Sequence, residues 1–112
     1  MEKILLHCCC APCSAAIIEW MLQHNLRPTL FYYNPNIFPA EEYLVRKNEL
    51  TRYAGRLGLE VIDGDYTHDE WLGCVAGHEH DPERGPRCLL CFGMRLRKTA
   101  QVASERGFDT IA

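Results

Sequence analysis

No stretch of this chain is apolar for long enough to cross a bilayer, which takes about 20 consecutive residues. The opening Met1-Glu2-Lys3-Ile4-Leu5-Leu6 is too short for the apolar core of a signal peptide, and cysteines interrupt it at once. Internal repeats, linkers and low-complexity segments are missing. So is any excess of positive charge: the net charge is −3, and the molecule as a whole does not advertise a nucleic-acid partner, although local charge still can. These absences leave one compact domain, expected in the cytosol and away from membranes. Its 47% hydrophobic content is enough for a core, and 24% charged residues is ordinary for a soluble protein.

Cysteine is abundant by contrast. Seven cysteines, an odd number, in a compartment that keeps thiols reduced argue for metal or redox chemistry rather than a disulfide framework. Four of them fall within His7-Cys8-Cys9-Cys10-Ala11-Pro12-Cys13-Ser14. A second pair, Cys88 and Cys91, lies most of the chain away.

The apolar run Lys3 to Leu6 predicts a buried first strand. Ile17, Ile18, Met21 and Leu22 form a helical stripe that starts near Pro12, with Ser14 as its expected cap and Asn25 as its stop. The cysteines would then sit on the strand-to-helix turn, where the positive end of the helix favours thiolates. Thr29 to Tyr33 is β-branched and aromatic, a second strand, ended by Asn34-Pro35-Asn36. Pro39 opens a second helix with the stripe Tyr43, Leu50, Tyr53, Ala54 and Leu57, a Glu42/Arg46 pair on its wet side, and Gly58 as its cap. Leu59 to Ile62 predicts a third strand, followed by Asp63-Gly64-Asp65-Tyr66. Thr67 with Glu70 matches a capping box, so a short helix should run to Ala76, with Gly77 behind it. After a polar loop from His78 to Arg87, a fourth helix runs from about Cys88 to Arg106, then Gly107 and a fourth strand over Phe108 to Ala112.

Strands alternating with helices imply an α/β fold, a Rossmann-like parallel sheet with helices on both faces. Ligand sites in such sheets lie at the carboxyl ends of the strands. His7 to Ser14, Asn34 to Asn36 and Asp63 to Tyr66 each follow a strand, and should converge on one crevice.

Cys10-Ala-Pro-Cys13 and Cys88-Leu-Leu-Cys91 are two C-x-x-C pairs. Two thiolates at this spacing can grip one ion, and two such pairs complete a tetrahedral set that suits zinc or an iron–sulfur centre. Spacing alone does not separate the two, although the first segment holds more thiols than a structural zinc needs. Thiol–disulfide exchange at Cys10 and Cys13 is a third reading, which leaves Cys9, Cys88 and Cys91 without a role. Cys74, beside Leu72 and Val75, reads as a small core residue. Arg84, Arg87, Arg95, Arg97 and Lys98, with no acidic residue among them, can hold phosphates or simply form a solvated face. Tyr32, Tyr33 and Tyr66 can stack an extruded base or belong to the core.

Several segments in fixed order resemble the QueH-type epoxyqueuosine reductases. They are Leu5-Leu6-His7 with Cys9-Cys10-Ala11-Pro12-Cys13-Ser14, and Tyr32-Tyr33-Asn34-Pro35-Asn36-Ile37 with Pro39, Glu42, Tyr43 and Arg46. Asp65-Tyr66, Pro82-Glu83-Arg84-Gly85, Arg87-Cys88, Cys91-Phe92 and Arg95-Leu96 continue the match, which covers nearly the whole chain. The resemblance implies a cytoplasmic oxidoreductase that reduces epoxyqueuosine to queuosine in a tRNA anticodon, served by an electron donor it does not name. It implies a [4Fe-4S] cluster on Cys9, Cys10, Cys88 and Cys91, and an additional iron with Cys13 and Asp65 as its catalytic ligands. Removing an epoxide oxygen as water takes two electrons that ordinary side chains cannot supply, so a redox cofactor is required. Asp65 and His7 are the proton-donor candidates. Where the family pattern has a second acidic residue after Asp-Tyr, this chain has Thr67. Family members also run on past this length, so residues 1–112 are expected to be the N-terminal part of a longer domain. The competing readings are a zinc-stabilised RNA-binding module and a thiol–disulfide oxidoreductase using Cys10 and Cys13.

Overall fold

The apolar run at Ile4-Leu5-Leu6 can be buried on both sides only if helices cover both faces of its sheet. The computed structural model has this arrangement. It describes residues 3–9, 11–64, 66–78 and 85–112, and within these all side chains except those of Cys13, Arg87 and Cys88. Among the described residues the chain forms β1 (Ile4–His7), α1 (Ala11–Gln23), β2 (Thr29–Tyr32), α2 (Ala40–Leu57), β3 (Val61–Asp63), α3 (His68–Cys74), α4 (Pro86–Arg106) and β4 (Thr110–Ile111).

The sheet order is β3-β2-β1-β4, and every pairing is parallel. Leu6 lies opposite Leu30, Phe31 opposite Ile62, and Leu5 opposite Ile111. The chain winds outward from β1 to β3, then returns to the other side of β1 for β4. The strand order therefore reverses between β1 and β4, the switch point at which such sheets leave a crevice.

Side-chain alternation along the strands divides the core into two layers. Ile4, Leu6 and Cys8 with Leu30 and Tyr32 pack against Ile18 and Met21 of α1 and Tyr43, Leu50 and Ala54 of α2. Leu5, Phe31, Tyr33 and Ile62 pack on the opposite face with Ala103 and Val102 of α4. Cys8 is fully buried, so it packs at the strand end as a small apolar residue.

Several boundaries differ from the sequence expectation for physical reasons. α1 begins at Ala11, so Ser14 lies in its first turn and is buried instead of capping it. Pro12 suits that turn because its missing N–H would have no helical partner there. Cys13 is consequently helical. β3 begins two residues late because the Leu59 N–H is bonded to the Ala54 carbonyl (2.9 Å), closing α2 over the left-handed Gly58 (φ 70°). Thr67 precedes α3 but makes no side-chain cap; its hydroxyl instead hydrogen-bonds the Tyr33 hydroxyl at 3.2 Å. α3 also stops at Cys74, which is half-buried at the helix end with Sγ 3.8 Å from the Leu90 carbonyl. α4 starts at Pro86, so Cys88 and Cys91 both lie in its first two turns. Glu42 and Arg46 pair at 2.8 Å, as their spacing predicts.

Candidate metal centre at the carboxyl edge

Three segments that follow β1, β2 and β3 were expected to converge, and side-chain to backbone hydrogen bonds tie them together. His7, the last residue of β1, donates from Nε2 to the Tyr33 carbonyl at 2.6 Å. Asn34 Nδ2 donates to the Cys8 carbonyl at 2.9 Å. The Tyr66 hydroxyl donates to the Ile37 carbonyl, and His68 Nδ1 to the Pro35 carbonyl at 2.7 Å. The first two bonds join the β1 and β2 ends, and the last two join the β2 and β3 ends. Asn34 and Cys8 both have zero exposure, so the Asn34 amide fixes the peptide immediately before Cys9 from within the core.

Burial holds the His7 imidazole below its usual pKa, and the nearby Arg95 guanidinium pushes the same way; the bond to Tyr33 opposes both. The ring is therefore neutral near pH 7. With Nε2–H committed to Tyr33, Nδ1 is left as an acceptor. An edge-on contact with Phe31 (6.4 Å between centroids, 73°) sets the ring's plane.

α4 supplies the other side. Cys91 is buried, and Arg95 follows one turn later. Its Nε is buried without a hydrogen-bond partner. The guanidinium lies 5.9 Å from the Phe92 ring centroid and is close enough to His7 to lower its pKa. A half-buried guanidinium whose Nε is shut off from water and unbonded favours an anion within reach. Cys91, one turn earlier on α4, and Cys9, after β1, are thiols on the two elements that meet here, and deprotonated or metal-bound thiols would suit such a cation.

Of the expected ligands, Cys9 is half-buried at the end of β1 and Cys91 is buried on α4. The side chains of Cys13 and Cys88, and the whole of Cys10 and Asp65, lie outside the described residues. Among the described residues no three His, Cys, Asp or Glu side chains gather as a metal-binding group. The structure thus joins β1 and β2 at the Cys9 end, and carries Cys91 and Arg95 on the helix packed over β1.

Sequence reasoning missed three participants. Asn34 was read as a turn former, yet it holds the Cys8–Cys9 peptide. Arg95 figures in a basic run and in the family motif, but nothing in the sequence marks that its Nε is shut off from water. His68 was not singled out at all. Conversely, Tyr32 and Tyr33 have 0% and 3% exposure, so neither is available to stack a base.

A parallel sheet that reverses strand order beside β1, with Cys9 following β1 and Cys91 on the helix packed over it, defines a Rossmann-like α/β domain. The family model described as epoxyqueuosine reductase QueH matches residues 4–112, and the chain belongs to that family. Curated proteins named epoxyqueuosine reductase QueH are similar to it. The one from Haemophilus influenzae is 47% identical over 107 residues, covering 96% of this chain and 44% of that protein. The one from Histophilus somni is 48% identical with the same coverage, and that from Acinetobacter baylyi is 46% identical over 111 residues, covering 99% and 51%. The chain spans about half the length of these curated relatives. Among the described residues no helix is long and apolar enough to cross a membrane.

Proposed function

We infer that this chain is the metal-bearing part of an epoxyqueuosine reductase, which converts epoxyqueuosine in a tRNA anticodon to queuosine and removes the epoxide oxygen as water. The observation that carries the reading is the family match over residues 4–112; the packing of α4, which bears Cys91 and Arg95, over β1, which leads into Cys9, supports it. Cys9, Cys10, Cys88 and Cys91 hold a [4Fe-4S] cluster, and Cys13 with Asp65 holds an additional iron. When bound, these centres supply the two electrons that side chains cannot.

The chain's own residues position and neutralise. Asn34 clamps the Cys8–Cys9 peptide, so the first thiolate pair is held by the core and not by a loose turn. Arg95, with its Nε shut off from water, would offset the negative charge of the thiolates. His7 keeps a neutral ring at the edge of the crevice, with Nδ1 available as an acceptor. Loss of the oxygen as water takes two protons with the two electrons; Asp65, which follows β3, would carry none as an iron ligand, so water hydrogen-bonded at this edge would deliver them from solvent. The electrons reach the protein from a separate donor, in the cytoplasm, where its tRNA is.

The full-length protein, purified without oxygen, is expected to be brown, to contain iron and sulfide, and to convert epoxyqueuosine in tRNA under reduction. A colourless protein containing only zinc, inactive in that assay, would sink the reading in favour of a zinc-stabilised RNA-binding module. Activity that survives loss of both Cys88 and Cys91 would point instead to thiol exchange at Cys10 and Cys13.

A further inference from the structure

A column of stacked rings runs from the core to the surface and ends on an exposed phenylalanine. Tyr43, 5% exposed, stacks on Tyr66 (4.1 Å between centroids, 25°). Tyr66 neighbours His68 (6.1 Å, 30°), and His68 stacks on Phe38 (5.1 Å, 18°). Trp71 flanks His68 at 5.6 Å and 20°. Hydrogen bonds lock this column: Tyr66 to the Ile37 carbonyl and His68 to the Pro35 carbonyl. Phe38, at its outer end, is 71% exposed, so beyond the face that meets His68 the ring is open to solvent.

The surroundings indicate what fits there. Phe38, Tyr66, Thr67, His68, Asp69 and Glu70 line a groove of about 460 Å³. Thr67 and Glu70 are shared with an adjoining groove of about 380 Å³, whose far wall carries Arg97 and Lys98. Neither cation forms an ion pair among the described residues. The first groove offers flat, nearly parallel rings with two carboxylates beside them, which repel phosphate. The second sets two cations, Arg97 and Lys98, against the single carboxylate of Glu70, a net positive wall. A single-stranded nucleotide has this division: an uncharged, flat base and a charged backbone. An apolar protein segment would not call for the basic half, nor for a groove walled by Asp69 and Glu70.

We propose that Phe38 and His68 form a stacking platform for an unpaired nucleobase of the substrate RNA, with Arg97 and Lys98 holding the neighbouring phosphates. The platform rests on the reading that this protein acts on tRNA, and lies on the same carboxyl edge as the cysteines. Phe38 is a positioning residue, since it would hold a base without touching the reacting atoms.

The test uses the full-length protein and a fluorescein-labelled, unmodified anticodon stem-loop RNA, with affinity read by anisotropy across a salt series. Phe38→Ala should weaken binding about ten-fold, the loss of one stacked base, and leave the salt dependence unchanged. Phe38→Trp should bind at least as tightly as the parent. Arg97→Ala with Lys98→Ala should instead flatten the salt dependence by a slope of about two. Because Phe38 is exposed, its variants should melt with the parent, which separates lost stacking from lost folding. Unaltered affinity of F38A, or a shift in oligomeric state showing that the ring instead covers a second copy, overturns the proposal. The RNA carries no epoxyqueuosine, so binding and turnover fail separately. F38A-sensitive binding by a protein that reduces nothing supports the platform and removes the reductase reading. Turnover with F38A-insensitive binding removes the platform alone.

Discussion

Asn34→Ala should loosen the junction that presents Cys9. In the parent, Asn34 Nδ2 lies 2.9 Å from the Cys8 carbonyl, and both residues have zero exposure. Truncation removes one hydrogen bond, worth about 1 kcal/mol net, and leaves the Cys8 carbonyl buried without that donor, which costs a further 1 kcal/mol or more, roughly. Part of this is returned, because Asn34 Oδ1 is already buried without a partner and its desolvation penalty disappears with it. The expected loss is about 2 kcal/mol, or roughly 10 °C in Tm for a domain of this size. Asn34→Asp is nearly isosteric but replaces the donor with a second acceptor facing the same carbonyl, at a position with zero solvent exposure. It should cost more than the alanine variant, about 3–5 kcal/mol. Guanidinium unfolding followed by circular dichroism, under anaerobic reducing conditions, reads both. Visible absorbance per mole of protein reads whether the thiol site still holds its metal. An alanine variant within about 0.5 kcal/mol of the parent, or an aspartate variant no worse than the alanine one, would refute the clamp.

Three further outcomes follow from the same geometry. Gly64→Ala should destabilise by about 1–3 kcal/mol in denaturant unfolding, because a Cβ there would lie 2.8 Å from Tyr33 Cβ and Cδ1 with no room to retreat. Arg95→Met should keep the fold, since it replaces one long side chain by an apolar one, but lower metal content per protein on anaerobic gel filtration; full retention would show that the guanidinium does not offset the thiolates. Glu42→Gln should change thermal stability by no more than about 0.5 kcal/mol, because the Glu42–Arg46 pair is 41–45% exposed and screened by solvent.

What was legible in the sequence is local. The strand and helix order, the stripe at Tyr43, Leu50 and Ala54, the Glu42–Arg46 pair and the glycine stops at Gly58 and Gly107 all depend on residues within a turn or two. Their periods and propensities act before the chain folds back on itself. The predicted caps failed because a helix started earlier than expected or because a distant partner competed. Ser14 was drawn inside α1, and Thr67 gave its hydroxyl to Tyr33, 34 residues away. Tyr32 and Tyr33, at the end of β2, could not be sorted into rim and core, because a strand buried on both faces has no polar side to mark its register.

The cysteine pattern alone pointed to a thiolate site at the end of the first strand, because few other arrangements use so many thiols at C-x-x-C spacing. The bonds that make this site rigid join residues 26–33 positions apart: His7 to Tyr33, Asn34 to Cys8, Tyr66 to Ile37 and His68 to Pro35. No periodicity encodes them. They exist because a parallel sheet brings the carboxyl ends of β1, β2 and β3 side by side, where an amide, two imidazoles and a phenol reach backbone carbonyls that the strands have finished using. The exposed Phe38 at the end of an aromatic column rooted on the buried Tyr43, and the half-buried Arg95 on the helix over β1, arose from the same packing.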